Sequence, residues 1–348
     1  MPSSKRQAAR RCREVSRAAA AKPLPVARPL DRRSARRRAA WRRRGQVLAF
    51  MSPWLLGFTI FFGYPLVMTA YYSFTHYDLL SPPKWVGLAN YKYLFTGDQR
   101  IWPAVSNTLW IIAVAVPLNA IFAFGVALML SRARRGIGFF RTVFYLPALV
   151  PPVAATLGFV YLLNPGTGPV NNLLRHLGLP DPLWFDSPTW SKPSLVLLGL
   201  WGVGNLMIIF LAAVIDVPRH LYESAELDGA GAWQSMRWVT LPTISPVILF
   251  AIVIGVIEGL QYFTQAYVAS TIAAGSAASA TEGANSLGYP LDSTLFYPVL
   301  LYQQGFRYFN MGYASAMAML LLAVAFAVTV IIVRNSRRWV HYQAPAIR

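Results

Sequence analysis

One carboxylate sits inside a long apolar run. Glu258 lies within residues 243–269, and Gln261, Tyr262 and Gln265 follow it at offsets of three, four and seven. On one continuous helix those offsets put all four on a single face. A carboxylate, two amides and a phenol offer paired hydrogen bonds and a stacking ring, which suits a polyhydroxylated molecule. A charge at that depth requires a polar environment, so Glu258 marks a functional position. The bland alternative is a carboxylate paired to a neighbouring helix for packing. Trp201 and Asn205 form a second pair, one turn apart, with Gly202 and Gly204 thinning the chain between them. Trp201 alone reads equally well as packing, and Asn119 reads as an interhelical hydrogen-bonding group.

A third cluster lies in the polar segment Asp216–Pro242. Asp216 suits an N-cap and Pro218 a first helical turn. Residues 218–228 then make a short helix that carries Glu223, Ser224, Ala225 and Asp228. Gly229 ends it with a positive φ, and Gly231 permits a second bend. Leu241 and Pro242 open the next apolar run.

Other chemistries lack their residues. The single cysteine, Cys12, lies in the basic N-terminal region, which excludes a disulfide framework or cysteine metal site from the body. His76, His176, His220 and His341 form no zinc pair, and none of the five lysines follows a glycine, so a phosphate-binding loop is absent. Asp78, Asp98, Asp181, Asp186, Glu282 and Asp292 are scattered. The expectation is no catalytic residue, no metal and no cofactor in this chain.

The positioning elements follow from composition. Of 348 residues 55% are hydrophobic and 13% charged, about half the charge of a soluble domain. Six apolar stretches reach the length of about 20 residues that a spanning helix requires: 47–73, 104–130, 142–163, 194–215, 243–269 and 312–333. The reading is an all-α polytopic membrane protein, six transmembrane helices with a cytoplasmic helical segment between the fourth and fifth. With six spans both termini share a side. That side holds 26 of the 32 Lys and Arg residues, so both termini are expected in the cytoplasm. Arg132, Arg134, Arg135 and Arg141 form the tightest internal anchor. The net charge of +19 belongs mostly to residues 1–45, read as a disordered basic cytoplasmic tail attracted to anionic lipid rather than to nucleic acid. Residues 46–340 form the membrane domain, 341–348 a short cytoplasmic C-terminus, and 270–290 a flexible external loop.

The Glu223–Pro242 segment resembles the signature E-A-A-x(3)-G-x(9)-I-x-L-P of permease subunits of bacterial binding-protein-dependent ABC importers. Glu223-Ser224-Ala225, Gly229 and Val239-Thr240-Leu241-Pro242 keep the spacing, with Ser and Val as the departures. The carbohydrate-uptake, maltose-type branch is similar at Ser52-Pro53, Tyr64-Pro65, Tyr72-Ser73-Phe74, Val86–Tyr91, Phe140–Pro147, Gly168–Asn171, Phe263–Tyr267 and Gly312–Ala316. The resemblance implies a bacterial plasma-membrane protein whose Glu223-bearing helix docks on a cytoplasmic ATPase. ATP and Mg would be bound by two such ATPase subunits. A second homologous permease subunit and an extracytoplasmic sugar-binding protein would complete the assembly. It also implies a sugar site built from the fourth and fifth spans, where Trp201, Asn205, Glu258, Gln261, Tyr262 and Gln265 lie. An ion-coupled secondary transporter using Glu258 leaves the Glu223–Pro242 spacing unexplained. A membrane glycosyltransferase lacks paired carboxylates. An importer of a non-sugar solute such as a glycerol phosphodiester shares the same permease architecture.

Overall fold

The computed structural model describes residues 31–132, 136–276, 287–338 and 340. Its elements in chain order are α1 (Asp31–Phe58), a π-turn (Thr59–Gly63), α2 (Tyr64–Ser73), the two-residue strands β1 (Thr75–His76) and β2 (Lys84–Trp85), α3 (Ala89–Thr96), α4 (Ile101–Arg132), α5 (Ile137–Tyr145), α6 (Pro152–Leu162) and α7 (Pro169–His176). There follow α8 (Ser191–Trp201), α9 (Gly204–Ile215), α10 (Arg219–Leu227), α11 (Ala232–Ser235), α12 (Leu241–Thr243), α13 (Ser245–Leu260), α14 (Thr264–Ser276), α15 (Tyr297–Tyr302) and α16 (Met311–Ser336). Apart from the antiparallel β1–β2 bridge the described residues are helical or connecting.

A boundary between two compact units falls at Leu66. In the first, Trp54, Phe58 and Phe62 stack one turn apart at 5.5 and 5.8 Å. Helix α1 begins at Asp31, so residues 31–45 of the expected disordered tail are helical; arginine and alanine are both good helix formers. Residues 1–30 of that tail lie outside the described residues, as do Arg134, Arg135 and the C-terminal 341–348.

Three helices are long and apolar enough to cross a bilayer singly: Gly45–Ser73, Ile101–Arg132 and Met311–Ser336. Counted as one span each, three bent pairs bring the number to as many as six: Ile137–Leu149 with Pro152–Leu162 at 97°, Ser191–Trp201 with Gly204–Ile215 at 50°, and Ala232–Thr243 with Ser245–Leu260 at 68°. Pro151 and Pro152 account for the first bend, because a proline lacks the helical donor and clashes one turn back. At the second, a Cβ on Gly204 would stand 2.7 Å from the Phe144 carbonyl oxygen, so only glycine lets these backbones meet there.

Helix α4 is the axis of the second unit. Its buried residues recur helically in two groups, Ala104, Asn107, Thr108 and Ile111, then Ala123, Val126, Ala127 and Leu130. The first group enters a core with Leu195, Phe296, Val299, Leu300 and Met317; the second joins Met207, Phe210, Leu211 and Val214. Lipid tails are as apolar as leucine, so close van der Waals packing has to hold such helices together. Gly255 and Gly259 of α13 supply it. A Cβ at Gly259 would stand 2.6 Å from Ile112 of α4, and one at Gly255 2.9 Å from Val116.

The fifth span departs from expectation. It is not one helix over 243–269: α13 stops at Leu260 and α14 starts at Thr264. No proline causes the break. Tyr262 packs edge-on to Phe296 at 5.3 Å, and Phe263 meets Tyr302 at 5.2 Å, so aromatic packing against α15 holds the chain out of helical register. Helix α14 also takes up residues 270–276 of the expected external loop, of which 277–286 lie outside the described residues.

Candidate functional site

The polar segment between the fourth and fifth spans builds a helix, a turn and a second helix. Asp216 is not the N-cap of α10, as expected; it closes α9, and Pro218 in an extended conformation precedes α10. The proline's restricted φ starts the helix one residue later than the sequence suggested. The far end matches expectation. Gly229 has φ +77°. Its N–H donates to the Glu226 carbonyl at 3.0 Å and that of Ala230 to the Ala225 carbonyl at 2.9 Å, the paired bonds of a Schellman cap. Gly231 is extended, and its N–H donates to Gln234 Oε1 at 2.7 Å, opening α11.

Leu221 and Tyr222 turn toward the core built on Met207, Phe210 and Leu211, and Tyr222 Oη pairs with Thr240 Oγ1 at 2.9 Å. Glu223, Ser224, Glu226, Leu227, Asp228 and Gly229 face outward, while Ala225 is half-buried. Leu241 and Pro242 open α12, three and two residues before the 68° bend at Ile244. The segment therefore presents three carboxylates and a fully displayed leucine on a short helix whose inner face is tied to the bundle.

The second cluster surrounds the two helix breaks. Trp201 is the last residue of α8 and Asn205 lies in the first turn of α9, both exposed. Trp201 packs on Phe159 at 5.4 Å and, with Phe122, Leu163, Trp184 and Leu200, lines an open apolar cavity of about 470 Å³. Glu258 lies in the last turn of α13, and Gln261 closes it; both are exposed. Tyr262 and Gln265 are half-buried. The expected single face over Glu258, Gln261, Tyr262 and Gln265 is corrected here. The break separates Glu258 on α13 from Gln265 on α14 and sends Tyr262 into the α15 contact. Among the described residues Glu258 enters no ion pair. Asn119 also departs from expectation: its Oδ1 is buried against Gly199 with no hydrogen-bond partner.

Sequence spacing missed a third region. Arg100, just ahead of α4, donates through Nε and Nη2 to Asp292, through Nη1 to Gln303 Oε1 at 2.8 Å, and through Nη2 to the Leu287 carbonyl at 3.1 Å. Asn107 Nδ2 donates to the carbonyls of Asp292 and Leu295, and Lys192 Nζ donates to Asn107 Oδ1 at 3.1 Å. Tyr313 Oη donates to Asp98 at 2.8 Å. The scattered acids thus have local work. Asp78 accepts from Ser81 N–H and Oγ, which hold its carboxyl below the usual range. Asp181 pairs with Arg175 at 3.5 Å. Asp186 keeps one buried, unpartnered oxygen, and burial raises its pKa. Glu282 lies outside the described residues. Among the described residues no three His, Cys, Asp or Glu side chains gather as a metal site.

Broken apolar helices around a long central helix, with a capped polar helix between two of them, are the architecture of a multi-pass membrane protein. Residues 115–342 match the family model of the binding-protein-dependent transport system inner membrane component, and the chain belongs to that family. It is a permease component, with ATP hydrolysis carried by partner subunits. It is 37% identical to the probable ABC transporter permease protein YesP of Bacillus subtilis over 85% of this chain and 92% of that one. It is 29% identical to the arabinooligosaccharides transport system permease protein AraP of the same organism, over 87% and 94%. Its fold is similar to a chain of a bacterial ABC transporter involved in the import of the acidic polysaccharide alginate, with TM-score 0.73, 25% identity, and 87% and 99% of the two chains covered.

Proposed function

We propose that this permease passes a sugar or oligosaccharide through the inner membrane, with Glu258 and Gln261 facing the solute. The observation that carries the reading is an exposed, unpaired carboxylate beside a helix break within an otherwise apolar span. Non-helical backbone at membrane depth is tolerated only where it is buried in protein or lines a water-filled path, and an ionisable group there faces the same path. Trp201 and Asn205 flank the corresponding break in the fourth span and supply a ring and an amide. Tyr262 packs on Phe296 behind the break, and Gln265 sits half-buried in the first turn of α14. Similarity to an arabinooligosaccharide permease and to an alginate importer favours a carbohydrate.

In this reading a second permease subunit completes the path, and an extracytoplasmic binding protein delivers the solute. Glu223, Ser224, Ala225, Asp228 and Gly229 present α10 to one of two ATPase subunits, and Leu241 and Pro242 pass its movement into the fifth span. Both termini lie in the cytoplasm. The test is uptake by the assembled transporter, with the cognate binding protein and a panel of labelled sugars. Loss of one hydrogen bond to a buried polar group is worth about 1–3 kcal/mol, so Glu258→Ala and Gln261→Ala should each weaken apparent affinity roughly 5- to 150-fold while ATPase subunits stay bound. Unchanged kinetics in both variants would remove them from the path.

A further inference from the structure

The segment between the Schellman turn and the fifth span has two faces of different composition. Ser235, Met236 and Val239 are half-buried and Thr240 is buried, whereas Trp233, Gln234, Arg237 and Trp238 are exposed. Trp233 and Trp238 are 69% and 71% exposed, and the Arg237 guanidinium stands 5.5 Å from the Trp238 ring centroid. Two indoles beside one arginine form the residue set of a membrane interface, where the ring sits at headgroup level and the cation reaches phosphate.

The geometry puts them at that level. The piece Ala232–Thr243 meets Ser245–Leu260 at 68°, so it runs largely across the axis of the span. At about 1.5 Å per residue, seven residues from Ser245 back to Trp238 descend only about 4 Å along that axis, and Trp233 about 7 Å. The headgroup layer is roughly 5–8 Å thick on each side. Charge is sorted along the same segment. Arg219 with Glu223, Glu226 and Asp228 leaves the exposed face of α10 net negative, and Arg237 is the charge on the exposed face of the second piece. An anionic leaflet repels the first face and attracts the second.

We propose that Trp233, Arg237 and Trp238 form a lipid anchor seated in the headgroup layer, continuous with the fifth span, with Arg237 on an anionic lipid phosphate. The anchor holds the bend at Ile244 at fixed depth, so that the elbow acts as the pivot through which a movement of α10 turns the fifth span. The inference uses the family membership and the bend. It does not depend on the identity of the solute.

The assembled transporter, with its ATPase subunits, is placed in nanodiscs containing phosphatidylcholine brominated near the headgroup end of its chains. The emission difference between the native protein and Trp238→Phe isolates one of eleven tryptophans. Trp233→Phe gives the same reading independently if the first variant assembles poorly. Both faces of a nanodisc are open, so the result is independent of the orientation proposed above. The expected result is quenching of the isolated indole by the bromolipid, equal with and without the ATPase subunits. An indole that the bromolipid does not quench, or quenches only when the ATPase subunits are removed, overturns the anchor and makes this face a protein contact. For Arg237→Gln, the amount of brominated phosphatidylglycerol, mixed into plain phosphatidylcholine, needed for half-quenching of the isolated Trp233 indole should rise roughly fivefold. An unchanged requirement removes the phosphate contact.

Discussion

The lock around Arg100 and the segment around Gly229 stand at opposite ends of the second unit's construction. In the first, polar side chains spend their hydrogen bonds on distant sequence: Arg100 and Asp292 are separated by 192 residues, Asp98 and Tyr313 by 215. In the second, the bonds are local, closing α10 within three to five residues, and the one described side-chain tie to the bundle is Tyr222 to Thr240. The carboxylates of the first region point inward to partners, while those of α10 point out. A region whose polar groups satisfy one another is a clamp. One whose polar groups are displayed on a capped helix is open to another protein, the handle that the proposed coupling role requires.

The comparison breaks most easily at the clamp. Arg100→Ala leaves the half-buried Asp292 carboxylate without its cation and Gln303 Oε1 without its donor. It should destabilise the purified subunit by about 2 kcal/mol or more, read as a lower midpoint of thermal unfolding, with ATPase association retained at low temperature. A variant as stable as the native protein would reduce the clamp to a surface pair. A smaller effect belongs to the tie behind the handle. Tyr222→Phe removes one hydrogen bond and leaves Thr240 buried, which should cost about 1 kcal/mol and loosen ATPase binding more than thermal stability. An equal or greater loss of stability than of binding would put Tyr222 with the clamp.

The smallest effect concerns Asp186, outside the spans. Burial raises its folded pKa above the ordinary carboxylate value, so the ionised folded form is disfavoured at neutral pH, and that penalty fades as pH falls through the folded value. Asp186→Asn should therefore raise the unfolding midpoint slightly at pH 7, with the gain shrinking in acid. A gain that grows as pH falls would reverse the sign of the burial effect.

Legibility followed the range of the forces involved. The spans were visible because twenty apolar residues are a compositional fact, and the Gly229 turn because its left-handed φ is demanded within three residues. The start of α10 was misplaced by one position, since Asp216 and Pro218 both suit a helix start and only the chain's path from α9 decides between them. The break at Gln261–Phe263 left no proline or glycine of its own to read. It depends on Phe296 and Tyr302, more than thirty residues away, and it divides the polar stripe that the 3.6-residue period suggested. The Arg100 clamp has no sequence spacing at all, because its partners meet only once α4, α8 and the 287–303 segment pack. The helix over residues 31–45 was hidden by a charge run that reads as disorder while its arginines and alanines favour helix.

The central claim is that α10, ended by Gly229 and displaying Glu223, couples this permease to an ATPase made by another gene. The most direct measurement is co-purification of the ATPase subunits together with binding-protein-stimulated ATP hydrolysis, in native, Gly229→Val and Glu223→Ala transporters. A valine at φ +77° costs about 1–2 kcal/mol in a turn with open space around it, so the Schellman cap fails while the spans remain inserted. The account predicts that both variants reach the membrane at normal abundance, lose ATPase subunits on purification and show little stimulated hydrolysis. Wild-type association and hydrolysis in both would contradict it.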